Sequence, residues 1–145
     1  MIPFSIKVPV RSEVVLPRGG MFMGVEAATD FELRGKADDQ VRDKETGERV
    51  WLVTVIDMEE PDESARFRKS TELKVRVVAP YRPVPPASRV PGYPALVAFE
   101  GLTLTPWLDD QKCRAARAGE SHRCRARLAY SLRATGMVEF TGDAA

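Results

Sequence analysis

His122 is the chain's single histidine, and it lies between its two cysteines, Cys113 and Cys124. Thiolates and imidazole are zinc ligands, so three of them within twelve residues raise the question of a metal. A structural zinc takes four such ligands, commonly in paired CxxC or HxxxH spacings. Here the fourth is missing and the spacing fits no knuckle, so no metal is expected. A disulfide between the cysteines would close the same loop, but a reducing cytosol argues against it. Ser121 adjoins His122. A serine nucleophile needs a base that is itself oriented by an acid, and two neighbours in a polar loop do not supply that. There is no GxGxxG and no P-loop to cradle a nucleotide. The expectation is a non-enzymatic chain without cofactor.

The cations carry more. Between residues 112 and 127, Lys112, Arg114, Arg117, Arg123, Arg125 and Arg127 stand against Glu120 alone. The whole chain sums to only +1, so the remainder must be acidic, and the run at Asp57, Glu59, Glu60, Asp62 and Glu63 supplies much of that. Arg66, Arg68 and Lys69 follow the acidic run, Lys74 and Arg76 alternate beyond them, and Arg133 comes later. Guanidinium and ammonium groups arrayed this way suit phosphates. Proteins that hold single strands add aromatic faces on which bases stack, at about 1–3 kcal/mol per base. Trp107 beside Pro106, and Tyr81 beside Arg82, are the aromatic candidates. Trp51 and Tyr130 sit at apolar positions of strands and are read as core.

The elements that would position these groups are strands. In VWLVTVID, residues 50 to 57, Trp51, Val53 and Val55 face one way, and Val50, Leu52, Thr54 and Ile56 the other. Both sets are mostly apolar, which predicts a strand covered on both sides. The preceding KETGER reads as a hairpin tip, with Gly47 where positive φ is needed. Upstream, residues 21 to 33 predict a half-buried strand with Met21, Met23, Val25, Ala27 and Phe31 on one face and Gly24 as a bulge point. Residues 57 to 70 read as a solvated loop interrupted by Pro61. TELKVRVVAP turns Leu73, Val75, Val77 and Ala79 in, and Glu72, Lys74 and Arg76 out. Residues 81 to 94 hold five prolines and predict an extended connection. Residues 95 to 107 predict one strand with a bulge at Gly101. RLAYSLRATGMVEF predicts the fifth strand, with Leu128, Tyr130, Leu132 and Ala134 inside and Ala129, Ser131, Arg133 and Thr135 outside. Residues 109 to 127 show no strand pattern, with room for one helical turn at 112 to 118.

Five strands with long irregular connections predict an all-β domain, a small five-stranded barrel of the OB type, with a β-sandwich as the alternative. The 145 residues suit one domain, with a flexible segment at about 1–15 and a frayed tail at about 141–145. No apolar run approaches a membrane span, and MIPFSIKVPVRSEVV lacks the layout of a secretory signal, so a cytoplasmic protein is expected.

Several stretches together resemble a known family: DKETGERVWLVTVID, the run ending in AP with PVPP after it, FEGLTLTPW and LAYSLRATGM. They look like the Pra-type activators of replication, integration and excision encoded by actinomycete integrative and conjugative elements. The resemblance extends from about residue 16 to about residue 137. FEGLT and YSLRATGM are its specific part. It implies an accessory protein of a mobile element and transfers no catalytic residue. The order of elements is also similar to that of small phage single-stranded DNA-binding proteins, which often form dimers. Residues 109 to 127 depart from the family pattern as an insertion.

The expected function is therefore DNA contact, single-stranded by preference, through Arg66, Arg68, Lys69, Lys74, Arg76, Tyr81, Arg82, Trp107, Arg114, Arg117, Arg123, Arg125, Arg127 and Arg133. The alternative is a protein–protein adaptor or transcriptional regulator that touches element-encoded replication or recombination proteins. It would use the Pro-rich segment 81 to 94 and the acidic loop 57 to 63. A homodimer paired through a strand edge is compatible with either.

Overall fold

The computed structural model describes residues 6–59, 71–110, 119 and 126–142. They form one all-β sheet of eight strands: β1 (Val8–Pro9), β2 (Gly20–Ala27), β3 (Val50–Asp57), β4 (Glu72–Val78), β5 (Leu96–Glu100), β6 (Thr103–Asp109), β7 (Arg127–Ala134) and β8 (Gly136–Glu139). The spatial order is β1-β6-β7-β4-β3-β2-β5-β8. Every neighbouring pair is antiparallel except β4 with β7, which is parallel, so the sheet is mixed. β5 and β6 are separated in the chain by Gly101 and Leu102 alone, yet they belong to opposite ends of this order. Two residues bridge those ends only if the sheet curls strongly, and it forms a half-barrel.

The concave side is the core. Val53 and Val55 of β3, Val75 and Val77 of β4, Val97 and Phe99 of β5, and Leu132 and Ala134 of β7 are buried together, with Leu16 and Leu102. Each Val, Leu or Phe side chain among them contributes about 1.5–3 kcal/mol when fully buried, which is what selects the alternating β-branched pattern. On the other side of β3, Val50 lies opposite Val78, and both are also buried. The hairpin of residues 40–49 closes beside them, bridged at Arg42 and Arg49, with Val50 N–H donating to the Val41 carbonyl. Leu52, Thr54 and Ile56 remain half-buried, so the two-sided covering of β3 is complete only at its start.

Five expected strands become eight for identifiable reasons. The segment expected as one strand at 95 to 107 is broken at Gly101, which adopts φ of 59°. β5 turns to β2 and β8, whereas β6 turns to β7 and β1. The last segment is divided in the same way at Thr135, between β7 and β8. Gly47 has the positive φ expected, at 74°, and the β2–β3 register shifts between Phe22 and Gly24, where a bulge was expected.

Two placements are corrected. Phe31 is 81% exposed, because β2 ends at Ala27 and Phe31 begins a 3-10 turn, Phe31–Leu33, capped by the Asp30 carboxylate. Leu128 and Tyr130 have the inward parity but are exposed, because β7 is paired to β4 only over Leu132 to Ala134 and its earlier half departs with β6 as a two-stranded arm. The described part of the N-terminal segment contributes β1 and a short helix, α1 (Ser12–Val15). There Ser12 Oγ accepts from Phe99 N–H, and Leu16 closes one end of the core. The Pro-rich stretch lies outside the sheet, as expected, with a turn at residues 89–93 where Tyr93 N–H donates to the Val90 carbonyl. No helix among the described residues is long and apolar enough to cross a membrane.

Candidate nucleic-acid interface

The convex face of β4, β7 and β6 is set by register. Arg76 lies beside Arg133 in the parallel pair, and Arg133 lies opposite Thr103. Lys74 is two residues along β4 from Arg76, hence on the same face and about 6.6 Å away along the strand. Ser131 and Thr105, opposed across β7 and β6, continue that face, and Trp107 opposite Ala129 extends it onto the arm. Trp107 is 43% exposed. Four of the expected residues, Lys74, Arg76, Arg133 and Trp107, are therefore brought to one surface. The surface is not uniformly basic. Glu72 ends β4 beside Lys74, and Glu26 flanks Leu52 on β2.

Their electrostatic situations differ. Lys74 and Arg76 are exposed and have no ion-pair partner among the described residues. Arg133 is committed: its guanidinium donates to Asp43, whose side chain is only 3% exposed. Burial acts to raise the Asp43 carboxyl. Hydrogen bonds from Arg133 and from the Thr46 N–H and hydroxyl outweigh it and hold the group below the ordinary aspartate value. Asp38 is also held low, first by its bond from Arg49, then by the Gln40 N–H.

No protein-family model matches this chain, and neither a curated protein nor a solved structure matches it. The site is read from placement alone.

The other expected residues divide into three groups. Tyr81 is 83% exposed on the segment leaving β4, and the Arg82 guanidinium donates to the Val25 carbonyl, which ties that segment across to β2. Arg127 pairs with Asp109 at 3.5 Å where the arm ends, away from the Lys74–Arg76 pair. Arg66, Arg68, Lys69, Arg114, Arg117, Arg123 and Arg125 lie outside the described residues, as do Ser121, His122 and both cysteines. Most of the acidic loop and the turn expected at 112 to 118 lie outside them too. Among the described residues no group of three or more metal-ligating side chains forms. Trp51, expected in the core, is half-buried and outside the core cluster, its indole N–H donating to the Ala79 carbonyl at 3.0 Å.

Sequence reasoning missed the cations of the folded-over hairpin. A cleft of about 290 Å3 separates it from β4 and β7, lined by Lys7, Arg42, Lys44, Arg76 and Arg133 with Asp43, Glu45, Val41, Val50 and Val78. In the sequence Lys44 reads only as part of a polar hairpin tip. The signal lay in Val50 and Val78, whose outward parity and apolar character require a cover. Of three larger clefts, one of about 440 Å3 adjoins this one and is lined by Asp43, Glu45 and Glu48 against Lys7 and Arg133. The other two lie apart and have other chemistry. One, of about 730 Å3 beside α1, is lined by Glu13, Glu100 and Glu139 against Arg11 alone. Another, of about 600 Å3, is walled by Met21, Met58, Val90, Tyr93, Leu96 and Phe140, and its one cation, Arg89, is paired to Glu139 at 2.6 Å. Neither suits a phosphate.

Proposed function

We propose that this chain is a non-enzymatic accessory activator of replication, integration and excision of an actinobacterial plasmid or integrative element, and that it acts by binding DNA. Single-stranded DNA is the favoured ligand, and the binding surface is the convex face of an OB-like barrel. The observation that carries the DNA reading is the pair Lys74 and Arg76, exposed on one face and without ion-pair partners among the described residues, with Thr105, Ser131 and Trp107 continuing that face. The mobile-element context rests on the resemblance of DKETGERVWLVTVID, FEGLTLTPW and LAYSLRATGM. What supports the barrel reading is the pairing. If the two-residue β1 is set aside, and β5 with β6, and β7 with β8, each count as one strand bent at Gly101 and Thr135, five strands remain, with one parallel contact between the third and the fifth.

The test is fluorescence anisotropy with single- and double-stranded oligonucleotides across a salt series. Contact with about five phosphates of a single strand gives a slope of log affinity on log salt near −3.5. Reversing Lys74→Glu and Arg76→Glu together should weaken binding and make that slope shallower by about 1.4. Unchanged affinity in the double variant acquits this face.

A second reading, a protein–protein adaptor, is favoured by one observation. The arm of β6 and β7 exposes Leu108, Leu128 and Tyr130, and exposed apolar patches mark contact surfaces. Recovery of a partner protein from nuclease-treated cell extract, lost on Leu128→Ser with Tyr130→Ser, supports that reading.

A further inference from the structure

We infer that the cleft between the 40–49 hairpin and strands β4 and β7 is a phosphate-binding pocket, the point at which one phosphodiester group is held. The inference rests on the DNA-binding reading for its biological ligand, but its chemistry stands separately.

Five cationic side chains line the cleft and only two acids do. Three of the cations are already neutralised. Lys7 pairs with Glu45 at 3.1 Å, Arg42 with Asp38 at 3.2 Å, and Arg133 with Asp43. Lys44 and Arg76 have no acidic partner among the described residues, and they approach the same space from opposite walls. Two positive charges facing one another across a cleft repel, and an anion between them removes that cost. The floor is Val41, Val50 and Val78, two of them buried, so the ionic bonds form against a poorly polarisable surface.

Size and donor type select the ligand. A guanidinium presents a planar fork that binds phosphate through two parallel bonds, and an ammonium adds a point charge. At about 290 Å3 the cleft is at the small end of ligand pockets, which run roughly 300–1,000 Å3. It takes a phosphate whose substituents leave through the open side, and no aromatic side chain lines it to stack a base. The convex face with Lys74 begins at Arg76, so a strand anchored in the cleft continues onto that face.

The experiment is a titration of the 15N-labelled full chain, followed by NMR at the Arg76 Nε–H and the amides of residues 43–47, with two probes: inorganic phosphate and a single-stranded oligonucleotide. Lys44→Glu, a change in an exposed turn residue, is the variant. The expected result is saturable shifts with both probes, at far lower concentration for the oligonucleotide. In Lys44→Glu the shifts are lost, and the salt slope for DNA becomes shallower by about 0.7. Shifts with inorganic phosphate alone uphold the pocket, assign it to a free phosphate source and sink the DNA reading. An oligonucleotide that moves Arg76 Nε–H but not the 43–47 amides, or that binds at unchanged affinity in Lys44→Glu, overturns the pocket and leaves the DNA reading standing. Silence with both probes overturns both.

Discussion

Arg76 and Arg133 lie side by side on the parallel strands β4 and β7, yet among the described residues only Arg133 has an ion-pair partner. Like charges adjacent on one face of a sheet repel. Here the repulsion is relieved on one side, by a carboxylate that the hairpin brings from Asp43. One arginine thus fastens the hairpin to the sheet, and its neighbour is left open to an outside anion. The two should separate under mutation. Arg76→Ala is expected to change stability by less than about 0.5 kcal/mol and to weaken oligonucleotide binding. Arg133→Ala leaves the Asp43 carboxylate buried without its cation and is expected to cost about 3 kcal/mol. Urea melts of both variants, read beside anisotropy, check the contrast. A stability loss as large in Arg76→Ala contradicts the division of roles.

The same ion pair sets a pH dependence. Asp43 is held below the ordinary aspartate value in the folded chain. Between the two values the unfolded chain binds the proton and the folded one does not. Stability from this group is therefore fully present above the ordinary value and is lost as pH falls through the lower, folded one. Asp43→Asn should lower stability at neutral pH by about 1.5–3 kcal/mol and flatten the decline below about pH 4. Urea midpoints from pH 7 down to pH 3 measure both. A variant whose acid limb is as steep as wild type shows that other carboxylates govern it.

Much of this fold was legible because burial on one side of a strand forces a period of two. Val53, Val55, Val75 and Val77 were readable for that reason, as was the need for positive φ at Gly47. What a period cannot report is depth. Leu128 and Tyr130 keep the inward parity of Leu132 and Ala134, but the arm carries them beyond the core. Nor does local pattern report partners distant in sequence, so Arg133 read as a free cation although it is held by a residue 90 positions earlier. The split into eight strands did leave a trace. The buried residues run Val97 and Phe99, then Leu102, and again Leu132 and Ala134, with Met137 packed against the core next. Each series changes parity once, at Gly101 and at Thr135, which is where the chain turns from one end of the sheet to the other.

Depth along β7 is directly testable. Leu132→Ala removes a buried side chain packed against β4 and the core and should cost about 2–5 kcal/mol. Leu128→Ser alters an exposed residue of the arm and should stay within about 0.5 kcal/mol. Equal losses in denaturant unfolding mean that the arm is covered in solution, and sedimentation at two concentrations shows whether a second copy covers it.

The corner at Gly101 carries the last prediction. Gly101 has φ of 59°, in the left-handed region, and a Cβ there would strike the side chain of Thr135. Thr135 is not free to yield, since its hydroxyl donates to the Glu100 carbonyl at 3.2 Å and its own N–H donates there at 2.9 Å. Gly47 supplies the control. Its φ is 74°, but a Cβ there would meet nothing within 4 Å. Gly47→Ala should therefore cost only the left-handed penalty, about 1–2 kcal/mol, whereas Gly101→Ala should cost that plus the clash. Thr135→Ala removes the obstructing atoms, so the double variant Gly101→Ala with Thr135→Ala should be more stable than the sum of its parts predicts, by about 0.5 kcal/mol or more. A double-mutant cycle in urea gives the coupling. Strict additivity, or equal costs at the two glycines, means that the corner is not held by the Gly101–Thr135 contact.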